Sequence, residues 1–95
     1  HTFPATTQDL SLVLAENIAA AEVMDVVKVA AGELLEAIEL VDDFRGGNLN
    51  EGQKSLTFAL RFRASDRTLT QTEASEARDN AVAEANRRFG ATIRA

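Results

Sequence analysis

The chain of 95 residues contains no cysteine, tryptophan or tyrosine, and its single histidine is His1. Without cysteine it has neither a disulfide framework nor a thiolate metal site, and nucleophile arrangements that pair Cys or Ser with an internal His have no members. No apolar run approaches the ~20 residues of a membrane helix, and no signal peptide is visible at the start. We therefore expect one ordinary globular domain over residues 1–95, with no catalytic or metal site.

The net charge of −5 is unevenly distributed along the chain. Nine acidic residues and one basic residue lie between Asp9 and Asp43, whereas five basic and two acidic residues lie between Arg45 and Arg67. The remainder of the chain is balanced. Exposed charges act within about one Debye length, ~10 Å, so that a basic middle segment can attract phosphate on an acidic chain.

The segment from Lys54 to Arg63 alternates strictly between large apolar and small or basic side chains. Leu56, Phe58, Leu60 and Phe62 fall on one side, and Ser55, Thr57, Ala59, Arg61 and Arg63 fall on the other. A strand has a period of two, so one face buries the apolar groups while the other presents small side chains and two guanidinium groups. Arginine suits phosphates and base edges, and this face is a candidate binding surface.

The rest of the pattern predicts the element order β-α-β-β-α-β. The predicted elements are a strand over 9–14, a helix over 19–31, strands over 35–44 and 54–63 joined by a glycine-rich hairpin loop, a helix after the capping box Thr70-Gln71-Thr72-Glu73, and a short strand over 92–94. This order is the ferredoxin-like α+β arrangement. Both helices should cover one face of a four-stranded antiparallel sheet, which leaves the other face open.

The second strand adds an aromatic ring and a carboxylate to the candidate surface. On a regular strand, Leu40, Asp42 and Phe44 share the open face beside the arginine row. A base can stack on Phe44, and Asp42 can accept a hydrogen bond from a base's amino edge. Such a surface suits a single-stranded RNA loop better than a duplex. Two plainer interpretations stay open: Arg61 and Arg63 as solubility charges, and Phe44 as a ring folded over the sheet edge.

The stretch from Asp66 to Thr70 also has two interpretations. Thr70 is most simply a helix cap and Leu69 a hydrophobic staple. Arg67 either holds the loop by hydrogen bonds or touches RNA, and we favour the structural role.

Five motifs in series resemble a known family. They are Pro4 with Asp9, Leu40-Val41-Asp42-Asp43-Phe44-Arg45-Gly46, Lys54-Ser55-Leu56, Asp66-Arg67-Thr68-Leu69-Thr70, and Phe89-Gly90-Ala91-Thr92-Ile93-Arg94. In order and spacing they are similar to the ferredoxin-fold anticodon-binding domain at the C-terminus of the bacterial phenylalanine–tRNA ligase beta subunit. The resemblance covers about residues 3–95, essentially the whole chain.

The resemblance implies a non-catalytic module whose open sheet face receives the anticodon loop of phenylalanine tRNA. Asp42 matches the family's base-contacting aspartate, Phe44 matches its tyrosine without the hydroxyl, Ser55 matches its serine, and Lys54 is a phosphate partner. With Arg61 and Arg63 these residues form the predicted RNA-binding set. Val41 replaces the family's usual phenylalanine, which should thin the core, and Asp43 occupies a position that is commonly apolar.

The resemblance also implies partners. The remainder of the beta subunit and the alpha subunit would accompany the domain in a cytoplasmic enzyme, without a membrane. ATP and Mg²⁺ would serve the parent enzyme, and this domain would need no cofactor. The alternatives are a protein-interaction or small-ligand regulatory domain of the same fold, and a generic RNA-recognition domain. The latter is disfavoured because Phe58 and Phe62 point inward by parity.

Overall fold

The computed structural model of the chain describes residues 3–94, so the only histidine, His1, lies outside the described residues. Its elements are β1 (Thr6–Ala15), α1 (Ala20–Ala31), β2 (Leu35–Arg45), β3 (Gln53–Phe62), α2 (Gln71–Phe89) and β4 (Thr92–Ile93). The predicted order is confirmed. The largest difference in bounds is at β1, which begins three residues before the predicted Asp9.

The four strands form one antiparallel sheet in the order β2-β3-β1-β4. This order and the two helices confirm the ferredoxin-like α+β fold. The predicted glycine-rich loop joins β2 to β3, and Gly46 and Gly47 both adopt positive φ there, 89° and 58°. Neither helix in residues 3–94 is long and apolar enough to cross a bilayer.

The core lies between the helices and one face of the sheet. The even-numbered positions of the two central strands supply its large side chains, because alternate residues of a strand share a face. These are Leu10, Leu12 and Leu14 of β1 and Leu56, Phe58, Leu60 and Phe62 of β3, all at most 2% exposed. Helix α1 contributes Val23, Val27 and Ala31, and α2 contributes Ala74, Ala77, Ala81 and Ala85. The sheet face away from the helices is called the open face below.

Helix α2 begins at the predicted capping box. Thr70 Oγ1 accepts a hydrogen bond from the Glu73 backbone N–H at 3.1 Å, and the Glu73 carboxylate accepts one from the Thr70 N–H at 3.1 Å. Arg67 donates to both Glu73 and Asp66, which gives it the favoured structural role. Hydrogen bonds from Arg67 and Thr70 hold the pKa of Glu73 below its ordinary value. The loop before α2 is thereby tied to the first turn of the helix.

Candidate functional site

A β-bulge in β2 places the aromatic and acidic groups of the predicted site. Leu40 pairs with Phe58 and Asp42 pairs with Thr57, so that Val41 is an extra residue without an opposite partner. A bulge of this kind resets the alternation of a strand. Leu40 therefore packs against the core, and the prediction that it shares the open face is wrong. Phe44, opposite Ser55, lies with Asp42 on the open face, as predicted.

The same bulge changes the interpretation of two neighbouring residues. Val41 is 51% exposed and lies outside the buried core, so the expectation that a small residue there thins the core is wrong. Asp43 pairs with Leu56 across the strands, yet its side chain is 39% exposed and lies 3.4 Å from Arg45 Nε. Asp43 is a solvated carboxylate at a sheet edge.

The Phe44 ring is half-buried and held from two sides. A Cβ built on Gly47 would lie 2.9 Å from Phe44 Cζ, so the tip of the ring rests against the backbone of the hairpin loop. The Arg94 guanidinium carbon lies over the ring, 5.0 Å from its centroid, which is cation–π distance. The ring is a planar apolar surface with a cation on it.

Ser55 lies beside this ring at the centre of the sheet. It is 1% exposed, and its Oγ has no hydrogen-bond partner within residues 3–94. A buried hydroxyl without a partner costs about 1–3 kcal/mol, so buried hydroxyls are usually paired. One row along, Ser11 Oγ and Thr57 Oγ1 lie 2.7 Å apart and satisfy each other. Ser55 Oγ is therefore a buried polar atom at the Phe44 side of the open face that lacks a partner among the described residues.

Arg61 of β3 and Arg63, which directly follows β3, share one carboxylate. Arg61 Nε lies 2.9 Å from Glu36 Oε2, and Arg63 Nε lies 2.8 Å from Glu36 Oε1. Arg63 also donates from Nη1 to the Phe3 carbonyl at 2.5 Å, whereas its Nε–H is not aligned with any acceptor among residues 3–94. Glu36 is itself the extra residue of a second bulge, between Leu35 and Ala37. The arginine row is therefore partly neutralised within the domain.

Lys54 is separated from the rest of the predicted set. It pairs with Leu14 and Arg45, and only 3% of it is exposed. This register places it with the helix-covered side of β3, although its neighbour Ser55 belongs to the open face. Its phosphate contact stays a prediction.

The open face thus has two ends. The Phe44 end comprises Asp42, Phe44, Ser55, Thr57 and Arg94, and the Arg61 end comprises Glu36, Arg61 and Arg63. Ser55 and Arg61 are six positions apart in β3, which corresponds to ~20 Å along a strand. Between the ends, Glu39 and Asp9 flank Ala59 in the strand register. A shallow depression of about 480 Å³ there is lined by Thr7, Ala37, Glu39, Ala59 and Arg61 among others.

Sequence reasoning missed two residues of this surface, Glu36 and Arg94. Glu36 sits in the acidic part of the chain, and its pairing with Arg61 and Arg63 depends on the register of β2 against β3. Arg94 follows the edge strand β4, and its side chain reaches the ring of β2, which is three places away in the sheet. Its position in the last of the five motifs was the available signal. No group of three or more potential metal-ligating side chains occurs within the described part of the chain.

The fold and the surface define a class: a ferredoxin-like α+β domain whose open sheet face carries an aromatic ring, a carboxylate and a buried hydroxyl. Residues 1–94 match the family of the ferredoxin-fold anticodon binding domain. The chain belongs to this family and is a non-catalytic binding domain.

Several curated proteins are similar to almost the whole chain. The phenylalanine–tRNA ligase beta subunit of Leifsonia xyli subsp. xyli is 60% identical over 92 residues, and that of Mycobacterium leprae is 58% identical over 92 residues; each alignment covers 97% of this chain. The beta subunit of Thermobifida fusca is 48% identical over 93 residues, 98% of this chain. The chain spans 11% of the length of each of these relatives.

Proposed function

We propose that this chain is the anticodon-loop-binding module of a phenylalanine–tRNA ligase beta subunit, and that it recognises phenylalanine tRNA through its open sheet face. The observation that carries the proposal is the bulge at Val41. It places Phe44 and Asp42 on the same face as the Ser55 hydroxyl, which has no partner among residues 3–94. A ring for stacking, an acceptor and an unsatisfied hydroxyl together suit an unpaired base.

Three groups of the Phe44 end, Phe44, Asp42 and Ser55, have a chemical role in this proposal. Phe44 supplies a face on which an anticodon base stacks. Asp42, exposed on the neighbouring row, accepts a hydrogen bond from an amino group on a base edge. Ser55 either donates to or accepts from the same nucleotide once the groups above it move. The polar contacts of Asp42 and Ser55 would select the base, because stacking on Phe44 tolerates any base.

The Arg61 end contributes attraction to phosphates. Arg61 is half-exposed and reaches solvent beside Glu36, so that an RNA phosphate would compete with that carboxylate. Arg63 is more buried and already bonded to Phe3, so we assign it the smaller contribution. Lys54 is assigned a phosphate contact on the strength of the resemblance alone.

The proposal includes the surroundings of the domain. The relatives are ligase subunits about nine times longer than the match, and we propose that the remainder of a beta subunit and an alpha subunit hold the rest of the tRNA in the cytoplasm. Aminoacylation with ATP and Mg²⁺ would take place there. This domain is assigned neither cofactor.

The test is titration of the domain with the anticodon stem-loop of phenylalanine tRNA, monitored by amide chemical shifts across a salt series. Phe44→Ala should weaken binding by roughly 5- to 150-fold, because stacking on one aromatic ring is worth ~1–3 kcal/mol. It should also reduce discrimination against a stem-loop with altered anticodon bases. The double variant Arg61→Ala/Arg63→Ala should lower the affinity for both RNAs by the same factor and make that affinity less dependent on salt.

Val29→Ala is the matched control, since Val29 is 81% exposed on α1 and its truncation removes an exposed apolar side chain from the helix layer. It should bind both RNAs as the wild type does. Shift changes confined to the helices, or equal affinities of wild type and Phe44→Ala, would contradict the proposal. The same variants in the intact ligase should reproduce the ranking.

A further inference from the structure

The last of the five sequence motifs ends in Arg94, to which neither the family match nor the proposed function assigns a role. Its backbone N–H donates to the Ser11 carbonyl at 3.0 Å, which fixes the start of the side chain at the β1 edge. Its guanidinium nevertheless lies over the Phe44 ring of β2, the strand at the opposite edge of the sheet from β4. The side chain therefore extends across the Phe44 end of the open face.

This position coincides with the place that a stacked base needs. A base stacks on the flat face of an aromatic ring, and a guanidinium that is 5.0 Å from the ring centroid occupies one such face. The tip of the ring is already against Gly47, so the ring has little freedom to offer another surface. In the free domain, the stacking platform is occupied by the domain's own side chain.

The Ser55 hydroxyl is an independent sign that this end of the face is closed. Ser55 points to the open face, yet it is only 1% exposed and its Oγ lacks a partner among residues 3–94. Its neighbours in the register are Phe44 and Val13. A hydroxyl that is shielded and unsatisfied in the free state can gain a hydrogen bond when the cover moves.

We propose that Arg94 is a placeholder on the Phe44 ring, which an incoming RNA base displaces and which then pairs with an RNA phosphate. Arginine fits both positions because its planar guanidinium stacks on aromatic faces and also binds phosphate in a bidentate manner. The exchange makes the domain favour a base that carries its phosphate chain over an isolated base or an apolar group. This inference rests on the proposed function and concerns how the same site selects its ligand.

Two probes separate the two halves of the exchange: adenosine, which has a base and no phosphate, and the anticodon stem-loop. Arg94→Ala should bind adenosine about 2- to 5-fold more tightly, because it lacks the cation–π contact that adenosine must displace. The same variant should bind the stem-loop more weakly, with the slope of log K against log salt reduced by about one phosphate contact. The ring proton shifts of Phe44 should change in the free variant.

Arg45→Ala is the charge-matched control, since it removes one exposed positive charge from the strand that carries Phe44. It should leave adenosine binding unchanged. Arg94→Lys should keep the salt slope of the wild type.

The failures of the two proposals are distinguishable. If the wild type binds the stem-loop on the open face but Arg94→Ala weakens both probes, or neither, the exchange is wrong and the proposed function stands. If the stem-loop does not bind the open face of the wild type, the proposed function itself fails.

Discussion

The two ends of the open face are each organised by a bulge in β2, and the bulges have opposite consequences. At the Phe44 end the extra residue Val41 resets the alternation and turns a ring and a carboxylate outward. At the Arg61 end the extra residue is Glu36, whose carboxylate lies within 2.9 Å of both arginine side chains. One bulge exposes the groups to which we assign base binding, whereas the other pairs the proposed phosphate-binding arginines with a carboxylate.

Under the proposed function, this difference would make RNA binding by an acidic domain selective. Unmasked arginines attract any phosphate and bind without regard to sequence. With Glu36 between them, Arg61 and Arg63 contribute less of this non-specific attraction, and more of the affinity must come from contacts with bases. The Phe44 end, where such contacts are possible, should therefore dominate discrimination, while the Arg61 end should modulate the salt dependence.

Displacing the Phe44 ring is the strongest test of the contrast between the two ends. Gly47→Ala should displace it by adding a Cβ to the hairpin loop. The new Cβ would lie 2.9 Å from Phe44 Cζ, so the ring must leave its position. We expect the affinity for the anticodon stem-loop to fall by about tenfold, which corresponds to part of the ~1–3 kcal/mol of stacking. The positive φ of 58° adds about 1 kcal/mol of lost stability, measured by urea unfolding.

Gly46→Ala separates the ring contact from the strain. Gly46 also has a positive φ, 89°, but, apart from its chain neighbours, a Cβ there would meet no atom of the described residues within 4 Å. It should lose similar stability and keep the wild-type affinity. Equal losses of affinity in the two variants would mean that the loop as a whole, rather than the position of the ring, matters.

The features that were predictable from sequence are those that depend on local spacing. The capping box at Thr70 and Glu73 is four residues long, and its geometry follows from the helix itself. The buried side of β3 follows from period-two alternation. Because these patterns depend only on residues close together in the sequence, the element order and the core of β1 and β3 were predicted correctly.

The features that were missed depend on how distant strands align. The bulge lies in a segment, Leu40-Val41-Asp42, that has no glycine or proline to mark it. A prediction from strict alternation therefore placed Leu40 on the wrong face. The Glu36 ion pairs require the register of β2 against β3, and the Arg94 contact spans the width of the sheet. Long-range alignment of this kind has no signature within a single segment.

Glu36→Gln should remove the ion pairs of Arg61 and Arg63 at the Arg61 end. We expect its effect on RNA affinity to be smaller than that of Gly47→Ala. The variant removes the carboxylate charge while it keeps the shape of the side chain. An exposed ion pair is worth at most ~1 kcal/mol, so affinity for the stem-loop should rise by up to about fivefold. The salt dependence should become steeper, and discrimination between anticodon variants should decrease because the gain is independent of sequence.

Glu76→Gln controls for net charge, since it removes the same charge from an exposed position on α2. It should change affinity far less than Glu36→Gln does. If both variants gain equally, overall acidity rather than local masking limits RNA binding, and the contrast between the two ends disappears.

The smallest effect concerns the helix layer and tests whether binding differences arise on the open face rather than from global stability. Hydrogen bonds from Arg87 and Arg88 lower the pKa of Glu84 from 4.5 to about 2. Because the folded-state pKa is depressed, the stabilising contribution is complete above pH 4.5 and is lost as pH falls towards 2. Glu84→Gln lacks this contribution at neutral pH, so urea unfolding should show a slightly less stable domain there and a flatter decline of stability between pH 4.5 and 2.

The affinity of Glu84→Gln for the stem-loop at pH 7 should equal that of the wild type, since Glu84 lies on α2 and the sheet separates it from Phe44. A parallel loss of affinity in Glu84→Gln would show that stability sets binding, and the effects of Gly47→Ala and Glu36→Gln would then have to be corrected for unfolding before either end is compared.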